Sequence, residues 1–228
     1  MSIGHSHSHS HEGVPHTHGH HESNVHEYRN YCYLFIVSIL SAGAEFLIAL
    51  FLAHSVSAQA DAIHALTHLM LYALALYVSR NVYVRHMSAH DAFHYRDKFV
   101  TLYVALVFVG LAWITYTSII KLMTSDVVAT GYMLLSVTIG LTGNIIALKL
   151  LNSISKMHTQ TGHSHRAHRW INLDAWGDFA FSVIVLITSI AGMMFPSLPV
   201  RIIDPLISIA AVIWIGGSGI QMLRTKNL

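Results

Sequence analysis

The sequence predicts an all-α membrane protein with six transmembrane helices and with both termini in the cytoplasm. Three observations support this fold class. Hydrophobic residues make up 54% of the 228 residues and charged residues only 11%, whereas a soluble globular protein carries about 25% charged residues. Apolar windows long enough to cross a bilayer occur six times. Finally, Lys and Arg are concentrated on one side of those windows.

The six windows are apolar over about 20 residues each, which is the length of a transmembrane helix. They lack the alternation of polar and apolar residues that barrel strands show. Because backbone groups in lipid must be satisfied within the element itself, we interpret them as helices. In order, the spans are approximately Tyr31–Ala53, Ala58–Ser79, Phe99–Leu122, Val127–Leu150, Ile171–Phe195 and Ile202–Leu223.

The spans differ in polarity. The first, third, fourth and sixth are the most clearly apolar, although the first carries Glu45 and the fourth carries Asn144 beside two glycines. The second and the fifth are the weakest by hydropathy because each contains several ionisable residues. Ionisable residues inside a membrane span are rare and mark function, so these two spans are where we expect the site.

The distribution of positive charge predicts the orientation. Lys121 and Arg201 are the two cations on the predicted outer side. The other eleven lie on the opposite side, which the positive-inside rule assigns to the cytoplasm; they are Arg29, Arg80, Arg85, Arg96, Lys98, Lys149, Lys156, Arg166, Arg169, Arg224 and Lys226. An even number of spans agrees with two cytoplasmic termini.

We expect three segments along the chain. Residues 1–30 form a His-rich cytoplasmic tail that is disordered, because it holds too few apolar residues to fold alone. Residues 31–223 form the transmembrane domain, with a His-rich cytoplasmic loop at about 152–169. Residues 224–228 are a short cytoplasmic tail, and we expect no soluble C-terminal domain.

Composition and motifs exclude several functional classes. The single cysteine, Cys32, provides neither a disulfide framework nor a thiolate metal cluster. The formal net charge of +2 is too small to indicate nucleic-acid binding. The sequence contains no GxSxG, HExxH or phosphate-binding loop motif. We therefore expect no enzymatic activity and no catalytic cofactor.

The second and fifth spans carry paired ionisable residues at helical spacing. His64 and His68 are four residues apart, as are Asp174 and Asp178, so each pair lies on one face of its helix. A single ionisable residue at the bilayer centre costs roughly 2.5–3.5 kcal/mol, and a lone one is often only a helix–helix hydrogen-bond partner. Two complementary pairs on two spans instead predict a shared metal site.

The residue types indicate the class of metal. Zinc binds four nitrogen, oxygen or sulfur ligands tetrahedrally, whereas calcium and magnesium prefer six or more oxygen ligands. Two imidazoles therefore favour a transition metal. Asp61 lies three residues before His64, so a role as a direct ligand stays an alternative for it. We expect Asp61, Asn144 and Glu45 instead to act around the site, as second-layer or proton-relay residues or simply as helix-packing contacts.

Histidine is over-represented outside the spans as well, with 19 in the chain against 13 Lys and Arg together. Tracts of this composition bind metal weakly. Because two separate segments on the cytoplasmic side share the pattern, we expect them to collect metal at low affinity near the entrance, rather than to be merely solvated tails. The candidate collecting residues are His5, His7, His9, His11, His16, His18, His20, His21, His163, His165 and His168.

Several stretches together resemble the cation diffusion facilitator family. SAQADAIHALTH and INLDAWGDFAFSV resemble the second and fifth helices of that family, and GLTGNIIALKLL and DPLISIAAVIWI resemble its fourth and sixth. The resemblance implies six helices, cytoplasmic termini and a His/Asp metal site between the second and fifth helices. In the family's zinc branch each of the two helices usually contributes a His–Asp pair, or the second helix contributes two aspartates. Here the second span supplies both histidines and the fifth both aspartates.

The resemblance implies a divalent cation transporter that exports zinc in exchange for protons, with the metal as substrate and protons as the counter-ion. We expect it to be a multi-pass protein of a bacterial inner membrane and a homodimer through its transmembrane part, with no nucleic-acid partner. Two alternatives stay open. The transporter could prefer cobalt, nickel or iron, or the protein could be a membrane metalloprotein that does not transport.

Overall fold

The computed structural model describes residues 19–81, 96–124, 126–160, 166–195 and 197–225. Within these ranges, the side chains of residues 19–25, 27, 96–100, 155–160, 166–175 and 218–225 lie outside the description. The described residues form six long helices and no strand. Each of the six contains a segment long and apolar enough to cross a membrane, which confirms the predicted fold class.

The helices follow the order of the predicted spans. We label them α1 (Gly19–Ile48), α2 (Val56–Ser79), α3 (Arg96–Thr124), α4 (Thr130–Gln160), α5 (Arg166–Met194) and α6 (Val200–Thr225). The apolar segments within them are Tyr28–Ala53, Val56–Ser79, Thr101–Thr124, Thr130–Ile154, Trp176–Met194 and Val200–Gly217.

The helix α1 begins at Gly19, well before the predicted start of the first span. The part of the predicted disordered tail that follows Gly19 is therefore helical, and residues 1–18 lie outside the described residues. At its other end α1 continues through one π-helical turn, Ala49–Ala53. His54 then adopts a left-handed conformation with φ 51°, and Ser55 caps the start of α2 by accepting a hydrogen bond from the Ala58 N–H at 3.2 Å.

The packing sets α2 between two groups of helices. On one side, α1 packs against α2 and α4, and α4 packs against α5. On the other side, α3 packs against α2 and α6. Since α2 also contacts α5, the two helices that carry the predicted ligands are neighbours.

Two apolar clusters fill the bundle of α1, α2, α4 and α5 at different depths. The cluster towards the predicted cytoplasmic end includes Tyr31, Leu34, Leu69, Tyr72, Ala147, Leu148, Leu151 and Ile154. The cluster towards the predicted outer end includes Ala49, Ala53, Ala58, Met133, Val137 and Val185. The polar side chains of the candidate site, described next, lie on these four helices between the two clusters.

Candidate metal centre

The helices α2 and α5 bring three predicted ligands together. His64 Nε2 lies 2.9 Å from Asp178 Oδ1, and His68 Nε2 lies 3.1 Å from Asp178 Oδ2. The two imidazole Nε2 atoms are 3.4 Å apart. One ligand atom from each of the three residues thus falls within 4.8 Å of the others, as a shared metal ion would require.

Helical spacing produces this arrangement on α2. His64 and His68 are one turn apart, so their rings stack on one face with centroids 4.6 Å apart. On the cytoplasmic side of the pair, His68 also faces the rings of Tyr72 and Tyr103 at 6.2 Å each. These two aromatic rings therefore form part of the surroundings of the His68 imidazole.

The three residues are shielded from solvent by the bundle. Asp178 is 6% exposed and His68 is 3% exposed, while His64 is partly buried. Buried polar groups need partners, and in this cluster the imidazoles and the carboxylate serve each other. A carboxylate and two imidazoles held this close in a buried position form a donor set for a divalent cation.

Asp174, the fourth predicted ligand, lies on α5 one turn before Asp178, but its side chain is outside the described residues. The same holds for His20, His21 and His168, and all other candidate collecting histidines lie outside the described residues altogether. Their roles stay predictions. His54, which precedes α2 in the chain, is exposed and is not part of the cluster.

A second polar layer adjoins the three donors on the predicted outer side. Asn144 Nδ2 on α4 donates to Ser182 Oγ on α5 at 3.0 Å, and Ser182 Oγ donates to Asp61 Oδ2 on α2 at 2.6 Å. Three helices, α2, α4 and α5, thus meet at one buried hydrogen-bonded network. The carboxyl group of Glu45, on α1, is buried against Gly140 of α4, one turn from Asn144.

Two glycines on α4 allow this close approach. A Cβ added at Gly140 would collide with the Glu45 carboxyl group, and one added at Gly143 would collide with the side chain of Ser41. Small residues at helix interfaces let backbones approach closely in membranes. The glycines beside Asn144 therefore make room for the side chains of Glu45 and Ser41 from α1.

Of the three predicted relay residues, Asp61 and Asn144 lie in this network, and Glu45 packs against α4 one turn from Asn144. Sequence reasoning missed Ser182, which joins Asp61 to Asn144. The signal for Ser182 was present, since it continues the four-residue spacing of Asp174 and Asp178 on α5. A serine in an apolar span is common, however, and the spacing alone does not show which helix it faces.

A buried ion pair at the predicted outer end was also missed. Lys121 Nζ on α3 lies 3.1 Å from Asp204 Oδ2 on α6 and also donates to the backbone carbonyl of His54. Lys121 is 5% exposed and Asp204 is fully buried. The charge count treats Lys121 as an outer-side residue, but the structure places it inside the bundle.

Asp204 also caps the helix that carries the two histidines. Its carboxylate accepts hydrogen bonds from the N–H groups of Val56 and Ser57 at 2.8 and 3.1 Å, and from the hydroxyls of Ser55 and Ser57 at 2.6 and 2.5 Å. The first N–H groups of a helix have no partner within it, and negative charge is favourable there. Asp204 thereby ties the start of α2 to α3 and α6.

Two comparisons with known proteins bear on this arrangement. A comparison with curated protein sequences finds none that matches the chain. The family model of the cation efflux transmembrane domain matches residues 32–226, which is most of the chain. Members of that family transport divalent metal cations across membranes and are not enzymes. The chain therefore belongs to the cation efflux family, also called the cation diffusion facilitator family, and is an integral multi-pass membrane transporter of divalent cations.

Proposed function

We propose that this transporter exports zinc from the cytoplasm in exchange for protons and that His64, His68, Asp174 and Asp178 hold the ion. The observation that carries the proposal is the convergence of His64, His68 and Asp178 from two neighbouring helices at one buried point. An intramembrane cluster of ionisable residues marks an ion pathway. Asp174, one turn from Asp178 on the same helix, would supply the fourth donor.

The donor types favour zinc as the substrate. Two imidazole nitrogens with carboxylate oxygens suit a tetrahedral zinc ion, and they disfavour calcium or magnesium, which take oxygen ligands in larger number. Cobalt, nickel and iron accept the same donors, so geometry and availability decide among them. Competition of these ions against zinc uptake would rank them, and a metal that outcompetes zinc at equal concentration would replace zinc in the proposal.

Charge explains why protons are the counter-ion. Two carboxylates offset the charge of a divalent ion, so the loaded site is close to neutral inside the membrane. Neutral imidazole binds metal and imidazolium does not, so protonation on the outer side releases the ion. An empty, deprotonated site would keep two negative charges in a medium of low dielectric constant, which disfavours its return without protons.

The polar layer lies between two apolar clusters, and this supports alternating access around a central site. Opening the cluster around Leu69 and Leu148 would expose the site to the cytoplasm. Opening the cluster around Met133 and Val185 would expose it to the other side. Transport requires that each cluster opens in turn and that the two clusters never open together.

Three further parts of the proposal come from the sequence. The His-rich segments collect cytoplasmic zinc at low affinity, the protein acts as a homodimer through its transmembrane part, and it resides in a bacterial inner membrane. Each has a direct check: zinc affinity after deletion of the segment, the mass of the purified protein in detergent, and the membrane fraction in which it accumulates.

Zinc uptake into proteoliposomes tests the function. Vesicles containing the protein and an internal zinc-sensitive dye should accumulate zinc when a pH gradient is imposed and should do so much more slowly without one. His68→Ala and Asp178→Asn should remove uptake. His54→Ala, an exposed histidine outside the cluster, is the matched control and should retain it. Zinc flux that ignores the pH gradient would refute proton exchange, and full uptake by His68→Ala would refute the site.

A further inference from the structure

The hydrogen bonds of Asp204 lie at the predicted outer end of the bundle, next to the apolar cluster that closes this end. Two members of that cluster, Ala53 and Ala58, flank residues 55–57, whose hydroxyl and N–H groups donate to Asp204. A third member, Val200, lies one turn before Asp204 on α6. The polar network and the apolar cluster therefore hold the same helix ends together.

Further hydrogen bonds at this end join the neighbouring helices. Lys121 of α3 pairs with Asp204 of α6 and donates to the His54 carbonyl in the link between α1 and α2. The Ala129 N–H, just before α4, donates to the Ala53 carbonyl at 3.0 Å. Within the described part of the chain, α2, α3, α4 and α6 are thus all joined by hydrogen bonds around the α1–α2 link.

The α1–α2 link itself has an irregular backbone. It contains the π-helical turn Ala49–Ala53 and then His54, whose φ of 51° is a conformation that residues other than glycine rarely adopt. Such a conformation persists where surrounding contacts hold it, and Lys121 donates to the carbonyl of this residue. Because a few residues between helices absorb the change when helices move, α2 can change direction here once the Lys121 contact is lost.

The cytoplasmic end is closed by different contacts. Its apolar cluster includes Leu34, Leu69 and Leu148. Among the residues whose side chains are described, no Lys or Arg pairs with a carboxylate at this end, and the pair of Lys121 with Asp204 lies at the opposite end. Opening the outer end therefore requires the loss of charge-assisted hydrogen bonds in addition to apolar contacts.

We propose that Lys121 and Asp204 form a lock that keeps the outer end closed and that must break before the site opens outward. This inference rests on the proposed alternating access and adds residues that bias the unloaded transporter towards the cytoplasm. When α6 separates from the start of α2, the Asp204 carboxylate leaves the donors of residues 55–57, and Lys121 leaves the His54 carbonyl. The lock forms again when the outer end closes, and the site then opens to the cytoplasm.

The accessibility of cysteines at the two ends tests the lock without a measurement of transport. In a Cys32→Ser background, Met133→Cys reports on the outer cluster and Leu148→Cys on the cytoplasmic cluster, because both side chains are buried. The rate at which a polar maleimide labels each cysteine in zinc-free, detergent-solubilised protein measures how often that end opens. Each reporter is combined with Lys121→Met and, as the control, with Arg201→Met, an exposed cation near the outer end of α6.

Lys121→Met should raise the labelling rate of the outer reporter about tenfold, because a lost charge-assisted hydrogen bond changes an equilibrium by about that factor. The cytoplasmic reporter should not be labelled faster. Ser57→Ala removes one hydroxyl from Asp204 and keeps the ion pair, so it should raise the outer rate by a smaller factor. Arg201→Met should leave both rates at the wild-type value.

Two results would overturn the lock. An outer labelling rate that Lys121→Met leaves unchanged would show that the network is a permanent joint, and an equal rise at both reporters would show that the variant loosens the whole bundle. If Lys121→Met does not fold, Ser57→Ala decides by the same two criteria. Absence of zinc flux into vesicles, or flux that ignores the pH gradient, would instead refute the proposed exchange, because the labelling rates are measured without zinc.

Discussion

Substitution of Lys121 or Asp204 should lower the free energy of unfolding by different amounts. The two losses should not add in the double variant. Removing one partner of a buried ion pair costs about 3–5 kcal/mol, because the other charge is left uncompensated. In Lys121→Met, Asp204 keeps four hydrogen-bond donors at the start of α2. We therefore expect a loss near the lower limit, about 3 kcal/mol.

The opposite substitution should cost more. In Asp204→Asn, Lys121 keeps only the His54 carbonyl as a partner among the described residues. The substitution also removes the negative charge at the first turn of α2. We expect a loss near the upper limit, about 5 kcal/mol. The double variant removes both charges and should lose only about 2 kcal/mol, which is far below the sum of the single losses.

The assay is the free energy of unfolding in mixed detergent micelles, followed by tryptophan fluorescence. Arg201→Met, an exposed cation at the same end of α6, is the control and should change it by less than about 0.5 kcal/mol. Single losses that simply add in the double variant would contradict the reasoning. So would a larger loss for Lys121→Met than for Asp204→Asn.

Three further predictions follow from individual contacts. Ser182→Ala removes a hydroxyl that supports the metal helices, and outer-shell contacts of this kind are worth about 10–100-fold in metal affinity; an affinity for zinc equal to wild type by calorimetry would refute its role. Gly140→Ala should lower the free energy of unfolding by about 1–3 kcal/mol, because the added methyl group overpacks against Glu45. Gly217→Ala is the control and should not lower it, because a methyl group there meets open space. Equal stability of the two variants would refute the tight contact at Gly140. Deleting residues 2–18 should raise the zinc concentration for half-maximal uptake and leave the maximal rate almost intact; a lost maximal rate would contradict the collecting role.

The sequence predicted the fold well because the bilayer imposes its own rules. A helix must be about 20 apolar residues long to cross the hydrocarbon core, so the spans could be located from composition alone. The upstream extension of α1 to Gly19 could not be located in this way, because that segment is polar and lies outside the apolar window. Hydropathy therefore finds membrane segments but not the full length of the helices that contain them.

The convergence of His64, His68 and Asp178 could be predicted because the four-residue spacing and the residue chemistry agreed. The network around Asp204 could not, since it joins residues as far as 149 positions apart on three elements. Nothing in the sequence indicates that Lys121 turns into the bundle instead of towards water. The burial of the Glu45 carboxyl group against α4 depends likewise on Gly140, whose significance becomes clear only when α1 and α4 are seen together.

X-ray absorption at the zinc edge tests the central claim most directly, because it reports the atoms bound to the ion. Zinc-loaded protein lacking residues 2–18, reconstituted at one ion per chain, should show about four nitrogen and oxygen ligands at roughly 2.0–2.2 Å. The outer-shell scattering should correspond to two imidazoles, and His68→Ala should remove half of it. A six-coordinate shell of oxygen atoms without imidazole scattering, or a spectrum unaffected by His68→Ala, would contradict a zinc site between α2 and α5.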